Sequence, residues 1–152
     1  MLIAGIIVIL DQLTKFLAIR YIRPAGYFPV TPFFWLTYVE NDGTVFGMFR
    51  GNNFFFAVAN IIILAIFFWQ YRNGFLRGQN TVMGLICGGA VGNLVDRLGR
   101  GRVIDFFDFR FFPVFNVADS AVTVASIFLA WALIRGAVHS GALPTDSEYK
   151  ET

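Results

Sequence analysis

A disulfide framework and a multi-cysteine metal site are both out of reach for a chain with a single cysteine, Cys87. That residue stands in an apolar run with no histidine near it in sequence, and reads as a small buried hydrophobe. The one histidine, His139, follows the last apolar run beside Ser140 and Gly141, where a solvated tail residue is expected instead of a general base. There is no His-Glu-x-x-His zinc motif, no Gly-x-Ser-x-Gly elbow and no phosphate-binding glycine loop. Charge is scarce as well: Asp, Glu, Lys and Arg are 14% of the residues, against about 25% in soluble domains. A net charge of +2, scattered along the chain, excludes a nucleic-acid partner and a polybasic membrane clamp.

Hydrophobic residues are what the chain has, at 57% of 152 positions and a mean hydropathy of +0.63. They gather into four runs, 2–19, 54–70, 81–98 and 117–138, each near the roughly 20 residues that a helix needs to cross a bilayer. The expectation is an all-α membrane protein, one integral domain over 1–152 with four transmembrane helices and a polar tail at 140–152. The first run is short of a signal peptide's marks, since no basic residue precedes it and no small-residue cleavage site follows. An even number of spans puts both termini and the link 71–80 on one side. The longer connections, 20–53 and 99–116, then share the other side.

The first long connection carries strand and turn signals. Phe33 to Val39 is aromatic and β-branched, Asn41-Asp42-Gly43 is a turn signal, and Thr44 to Phe49 resumes the apolar pattern. This predicts a β-hairpin between helices one and two, lying at the interface on Phe33, Phe34, Trp35, Tyr38, Phe46 and Phe49. Pro24, Pro29 and Pro32 break any helix before it. Orientation is less direct. Seven basic residues flank the long connections (Arg20, Arg23, Arg50, Arg97, Arg100, Arg102, Arg110) against four opposite (Arg72, Arg77, Arg135, Lys150). The positive-inside rule would place the long connections in the cytoplasm, but an arginine lining a site, as Arg97 is a candidate to do, should not be counted.

Polar residues within the runs are informative, because a charge at mid-membrane costs about 2.5–3.5 kcal/mol on insertion scales and needs a partner. Asp11 and Lys15 lie one turn apart on one helix face, as an internal ion pair would. Gly84, Gly88 and Gly92 recur every four positions in run three and permit close helix approach. Asn93 and Arg97 follow one turn apart near the end of that run, and Asp96 beside them reads as a structural or anchoring charge.

Two further acids stand at the same membrane boundary, fourteen residues apart: Asp105 in Val103-Ile104-Asp105-Phe106, and Asp119 at the start of run four. Pro113 between them breaks the chain where it would have to turn back. Apolar surroundings would raise the pKa of Asp105, while Asp119 sits at the positive end of a helix dipole. That asymmetry suits a carboxylate pair sharing one proton, one acid deprotonating water while the other polarises a carbonyl and protonates the leaving amine. A helix cap at Asp119 and a surface charge at Asp105 are the other reading of the same spacing. Two further function classes also stand: a transporter or proton-relay subunit built on Asp11 and Lys15, and a non-catalytic scaffold.

The ordered set Asp11-Gln12-x-Thr14-Lys15, Asn41-x-Gly43-x-x-Phe46-Gly47, Gly92-Asn93-Leu94-x-Asp96-Arg97, Val103-x-Asp105-Phe106 and Phe115-Asn116-x-Ala118-Asp119-Ser120 resembles lipoprotein signal peptidase over nearly the whole chain. The resemblance implies an aspartic endopeptidase of the bacterial inner membrane. Such an enzyme removes signal peptides from diacylglyceryl-modified prolipoproteins by cutting before the lipidated cysteine, with no metal or cofactor. It makes Asp105 and Asp119 the catalytic pair, and Asn41, Gly43, Asn93, Arg97 and Asn116 the substrate-binding and supporting groups. Asp11, Lys15 and Asp96 are left as structural intramembrane residues. It further implies a β-cradle on the outer membrane face, cytoplasmic termini, a monomer surrounded by membrane lipids, and inhibition by globomycin. Thr44 and Val45 depart from the family pattern, which usually has two small residues there.

Overall fold

The apolar runs become four long helices in a computed structural model that describes residues 2–43, 53–74 and 79–139. These are α1 (Leu2–Leu17), α2 (Asn53–Arg72), α3 (Asn80–Gly99) and α4 (Val117–His139). Helix α1 continues through a wider π turn, Ala18–Ile22, into a last turn, Arg23–Ala25, which stops at Gly26 with φ +80°. His139 closes α4 instead of lying beyond it. Cys87 is half-buried and unpaired, not sealed in the core.

The bundle is polar within and apolar without. Asp11, Lys15, Asn93, Asp96, Asp105 and Asn116 are buried, while Ile61, Ile62, Ile66 and Trp69 of α2 and Ile127, Phe128 and Trp131 of α4 point outward and exposed. In water such a surface would associate; in lipid it is the solvated face. Among the described residues three helices are long and apolar enough to cross a membrane, at Leu2–Ala25, Asn53–Arg72 and Val117–Arg135.

Helix α3 falls short of them in hydropathy because it is the interior helix. Ten of its residues are buried, against one in α2, so glycine, asparagine and aspartate replace the leucines that a lipid-facing helix would carry. A Cβ added at Gly88 would lie 2.7 Å from the Ile7 Cβ, and one at Gly89 would lie 2.4 Å from the carbonyl oxygen of Ala118. Backbone cannot yield as a flexible side chain does. Gly89→Ala is therefore expected to destabilise the protein by about 1–3 kcal/mol, measured as thermal unfolding in detergent; parental stability would mean that α3 and α4 are not held this close.

Both long connections contribute to one antiparallel sheet in the order β1-β2-β3: β1 (Tyr27–Thr31), β2 (Phe34–Asn41) and β3 (Val103–Asp108). The connections therefore meet at one end of the bundle. The sequence set a hairpin on 33–39 and 44–49 around Asn41-Asp42-Gly43; the described residues pair the first of these segments with other partners. The segment around 33–39 is a strand, but it turns back on Tyr27–Thr31 before it, and its other edge takes β3 from the second connection. Pro29 is tolerated because β1 is an edge strand. Asn41-Asp42-Gly43 makes the expected turn: the Asn41 side chain accepts from Gly43 N at 2.9 Å, and Gly43 adopts φ +102° against the Phe56 ring. Thr44 to Phe49, including Phe46, fall outside the described residues, as does the tail 140–152.

The sheet is bound to the bundle by an apolar cluster of Ala18, Ile22, Ile104 and Phe106, with Leu36 and Val117 packed against it. Beyond β3 the chain folds back through Pro113, and Phe107 and Phe115 exchange backbone hydrogen bonds at 2.8 and 3.1 Å. That return delivers the start of α4 to the flank of β3.

Candidate active site

Asn116 is the residue on which the site is built. It caps α4, its Oδ1 accepting from Asp119 N at 2.9 Å while its own backbone N donates to Asp119 Oδ2 at 3.2 Å. Such reciprocal capping satisfies helix N-terminal donors that would otherwise be buried unpaired. Its remaining side-chain group, Nδ2, donates to Asp105 Oδ1 at 2.6 Å and to Asn93 Oδ1 at 3.1 Å. One fully buried asparagine thus ties the two carboxylates together.

Asp105 is placed by register. It stands opposite Val39 in β3, two residues from the end of β2, so that Asn41 Nδ2 reaches its Oδ2 at 2.8 Å. It is 2% exposed, which removes the reading of a surface charge. Burial, and next the charge of Asp119, push its pKa up to about 6, against the hydrogen bonds from Asn41 and Asn116 and the charge of Lys15. A carboxyl so placed changes protonation near neutral pH, as a general acid or base must. Asp119 receives Asn93 Nδ2 on Oδ1 at 2.7 Å. The cap reading of this residue is correct and incomplete, because the same carboxylate faces Asn93 and lines a largely apolar cavity of about 420 Å³ with Phe112, Phe115, Thr123 and Val124.

Arg97 lies within electrostatic reach of Asp119, Asp105 and Asp96. Its guanidinium stands 5.8 Å from the centre of the Phe56 ring, the ring on which Gly43 packs. Among the described residues it makes no ion pair. Asn41, Asn93 and Asn116 thus bond the acids directly and Arg97 lies within their field, while Gly43 reaches them only through Asn41.

Asp11, Lys15 and Asp96 form a buried ion-pair layer beside the site. Lys15 Nζ lies 2.8 Å from Asp11 Oδ2 and 2.8 Å from Asp96 Oδ2, with all three side chains fully buried. Asp11 Oδ1 also accepts from Ala118 N at 2.9 Å. Two members of this layer were given no role in the sequence reading, Gln12 being quoted there only within a motif and Arg100 only as a flanking charge. Gln12 donates toward Asp11, Gly92 O and Asp96, and Arg100 donates to Asp96 and to Gln12. The available signals were the position of Gln12 beside Asp11 and the i,i+4 spacing of Asp96 and Arg100. A larger cavity of about 550 Å³, lined by Leu17, Tyr21, Phe28, Leu36 and Phe106, touches none of these acids.

The family profile for signal peptidase (SPase) II matches residues 3–135. The lipoprotein signal peptidase of Caldanaerobacter subterraneus subsp. tengcongensis is 44% identical over 135 residues, covering 87% of this chain and 93% of that protein. That of Moorella thermoacetica is 36% identical, covering 95% and 98%. Among solved structures, a bacterial membrane enzyme determined by the in meso method at 2.3 Å superposes with a TM-score of 0.80 at 31% identity, covering 95% of this chain and 93% of that one.

Proposed function

Because the chain belongs to the signal peptidase II family, we propose that it is an aspartic endopeptidase that removes the signal peptide from diacylglyceryl-modified prolipoproteins, cutting just before the lipidated cysteine. The observation that carries this reading is the junction at Asn116, which holds Asp105 Oδ1 through its side chain and Asp119 Oδ2 through its backbone. A buried carboxylate and a half-buried one that feel each other's charge do not both ionise readily, and the pair holds one proton. The ionised member takes a proton from water as the water oxygen attacks the scissile carbonyl. The protonated member hydrogen-bonds the carbonyl oxygen as negative charge develops there and then gives its proton to the leaving amine as the intermediate collapses, so the proton taken from water leaves the pair holding one proton again.

Asn41, Asn93 and Asn116 hold the acids in place, while Gly43 and Arg97 form the wall that meets the substrate backbone. The apolar cavity beside Asp119 suits a substrate approaching from lipid. All four helices span the membrane in this reading, α3 being tolerated because its neighbours shield it. Both termini face the cytoplasm and the sheet lies on the extracytoplasmic face of the bacterial inner membrane, as the family resemblance implies. The protein acts as a monomer, and globomycin occupies the site. A proton relay through Asp11 and Lys15 is disfavoured, since all three ammonium protons of Lys15 already have partners.

A synthetic diacylglyceryl precursor incubated with the protein in detergent is expected to be cut once, before the modified cysteine, by mass spectrometry. Globomycin should suppress the cut, and chelators should not. Cleavage elsewhere, or none with the protein folded, would refute the assignment.

A further inference from the structure

Lys15 has more partners than charge balance requires. Its ammonium, fully buried, meets Asp11 Oδ2 and Asp96 Oδ2 at 2.8 Å each, and its third proton goes to Asn93 Oδ1 at 3.0 Å. An ammonium can only donate, so the carboxamide atom it meets has to be the oxygen. Asn116 Nδ2 donates to that same oxygen at 3.1 Å. Two donors on Oδ1 leave the nitrogen of Asn93 facing the other way, where it donates to Asp119 Oδ1 at 2.7 Å. A reversed carboxamide would set its N–H groups against Lys15 and Asn116, and its oxygen against the Asp119 carboxylate. With Asn116 N on Oδ2, both oxygens of Asp119 are then held and the carboxylate cannot rotate.

We propose that Lys15 is a positioning residue for the cleavage reaction, locking the Asn93 carboxamide so that it fixes the Asp119 carboxylate. The inference rests on reading Asp119 as a reacting acid. It gives Lys15 a duty that an internal ion pair alone would not have, because the Asp11 and Asp96 contacts account for the charge and only the Asn93 contact points to the site.

Truncating Lys15 alone would strand two buried carboxylates, so the test uses charge-balanced pairs. Asp11→Asn/Lys15→Met removes one charge of each sign and retains an acceptor for Ala118 N; Lys15→Met/Asp96→Asn does the same through the other partner. In whichever folds, kcat on the lipidated precursor is expected to fall about 100-fold with KM unchanged, because the substrate is bound but the acid is misaligned. Asn93→Ala should produce the same loss, and adding it to the pair variant should cost nothing further. Parental kcat in the pair variant, or losses that multiply on combination, would overturn the inference. So would failure of both pairs to fold, which would assign Lys15 to the fold alone. Asp119→Asn is the control: if it still cleaves, the reading of Asp119 as a reacting acid fails.

Discussion

Asp105→Asn is expected to abolish cleavage while leaving the folded protein more stable than its parent at neutral pH. Removal of a group that acts as general acid or base costs about 10²–10⁴-fold, and neither acid has a neighbour able to replace it. Asp119→Asn should lose cleavage equally. The stability change follows from proton linkage. The folded protein raises the Asp105 pKa from 3.8 to about 6, through burial first and the Asp119 charge second. The folded state therefore binds the proton more tightly than the unfolded chain does. Below pH 3.8 the carboxyl is protonated in both states and carries no penalty. As pH rises through the interval from 3.8 to 6 the unfolded chain gives up the proton first, and stability falls. Above that interval the penalty is complete, of the order of 3 kcal/mol for two pKa units. An asparagine never ionises, so the variant escapes the penalty, although losing the bond from Asn41 gives back about 1 kcal/mol. Thermal unfolding in detergent should show the variant above its parent at pH 7 and close to it at pH 4. Retained processing by either variant would sink the dyad; a variant less stable at pH 7 would sink the account of Asp105 as a destabilised carboxylate.

Removal of Asp96 should damage the fold more than any other single charge. Its carboxylate accepts from Lys15 at 2.8 Å, from Gln12 and Ile104 N at 3.2 Å each, and from Arg100. Asp11 and Asp96 together balance Lys15 and Arg100, so Asp96→Leu leaves one uncompensated cation in a layer where Lys15 has no exposure. Breaking a buried ion pair from one side costs about 3–5 kcal/mol. The loss also reaches the site, because Ile104 N is the backbone donor next to Asp105 on β3. The expected result is a protein that extracts in low yield and unfolds well below its parent, with Asp11→Asn/Lys15→Met far milder because it removes charge in a balanced pair. A change under about 1 kcal/mol, the size expected of a solvated ion pair, would show that the layer is wet.

The sheet shows why part of this protein resisted sequence reading. Phe34–Asn41 announces itself as a strand, but β2 has two edges, and nothing local says that β3, at Val103–Asp108 in the second connection, arrives to take one of them. Turn chemistry at Asn41-Asp42-Gly43 was legible as a turn, but a turn reports backbone conformation and not pairing, and it could not announce Tyr27–Thr31 as a partner of β2. Val103 to Phe107 carried its own β-branched and aromatic signal, overshadowed by the acid inside it. Helix α3 shows the reverse limit: hydropathy undervalues it, since hydropathy measures fitness for lipid and this helix meets mainly protein.

Composition and run length alone establish the membrane class and the helix limits to within two residues for α2, α3 and α4, because a bilayer imposes length and apolarity on every segment that crosses it. The motifs establish which acids are worth watching. Neither could show that Asp105 and Asp119 meet through Asn116, or that Lys15 reaches Asp119 through Asn93. Those contacts join a strand to three helices, and hydrogen bonds of 2.6 to 3.1 Å exist only once close packing at Gly88 and Gly89 has brought the backbones together. Sequence states which groups cannot tolerate lipid; the fold chooses the partners that shelter them.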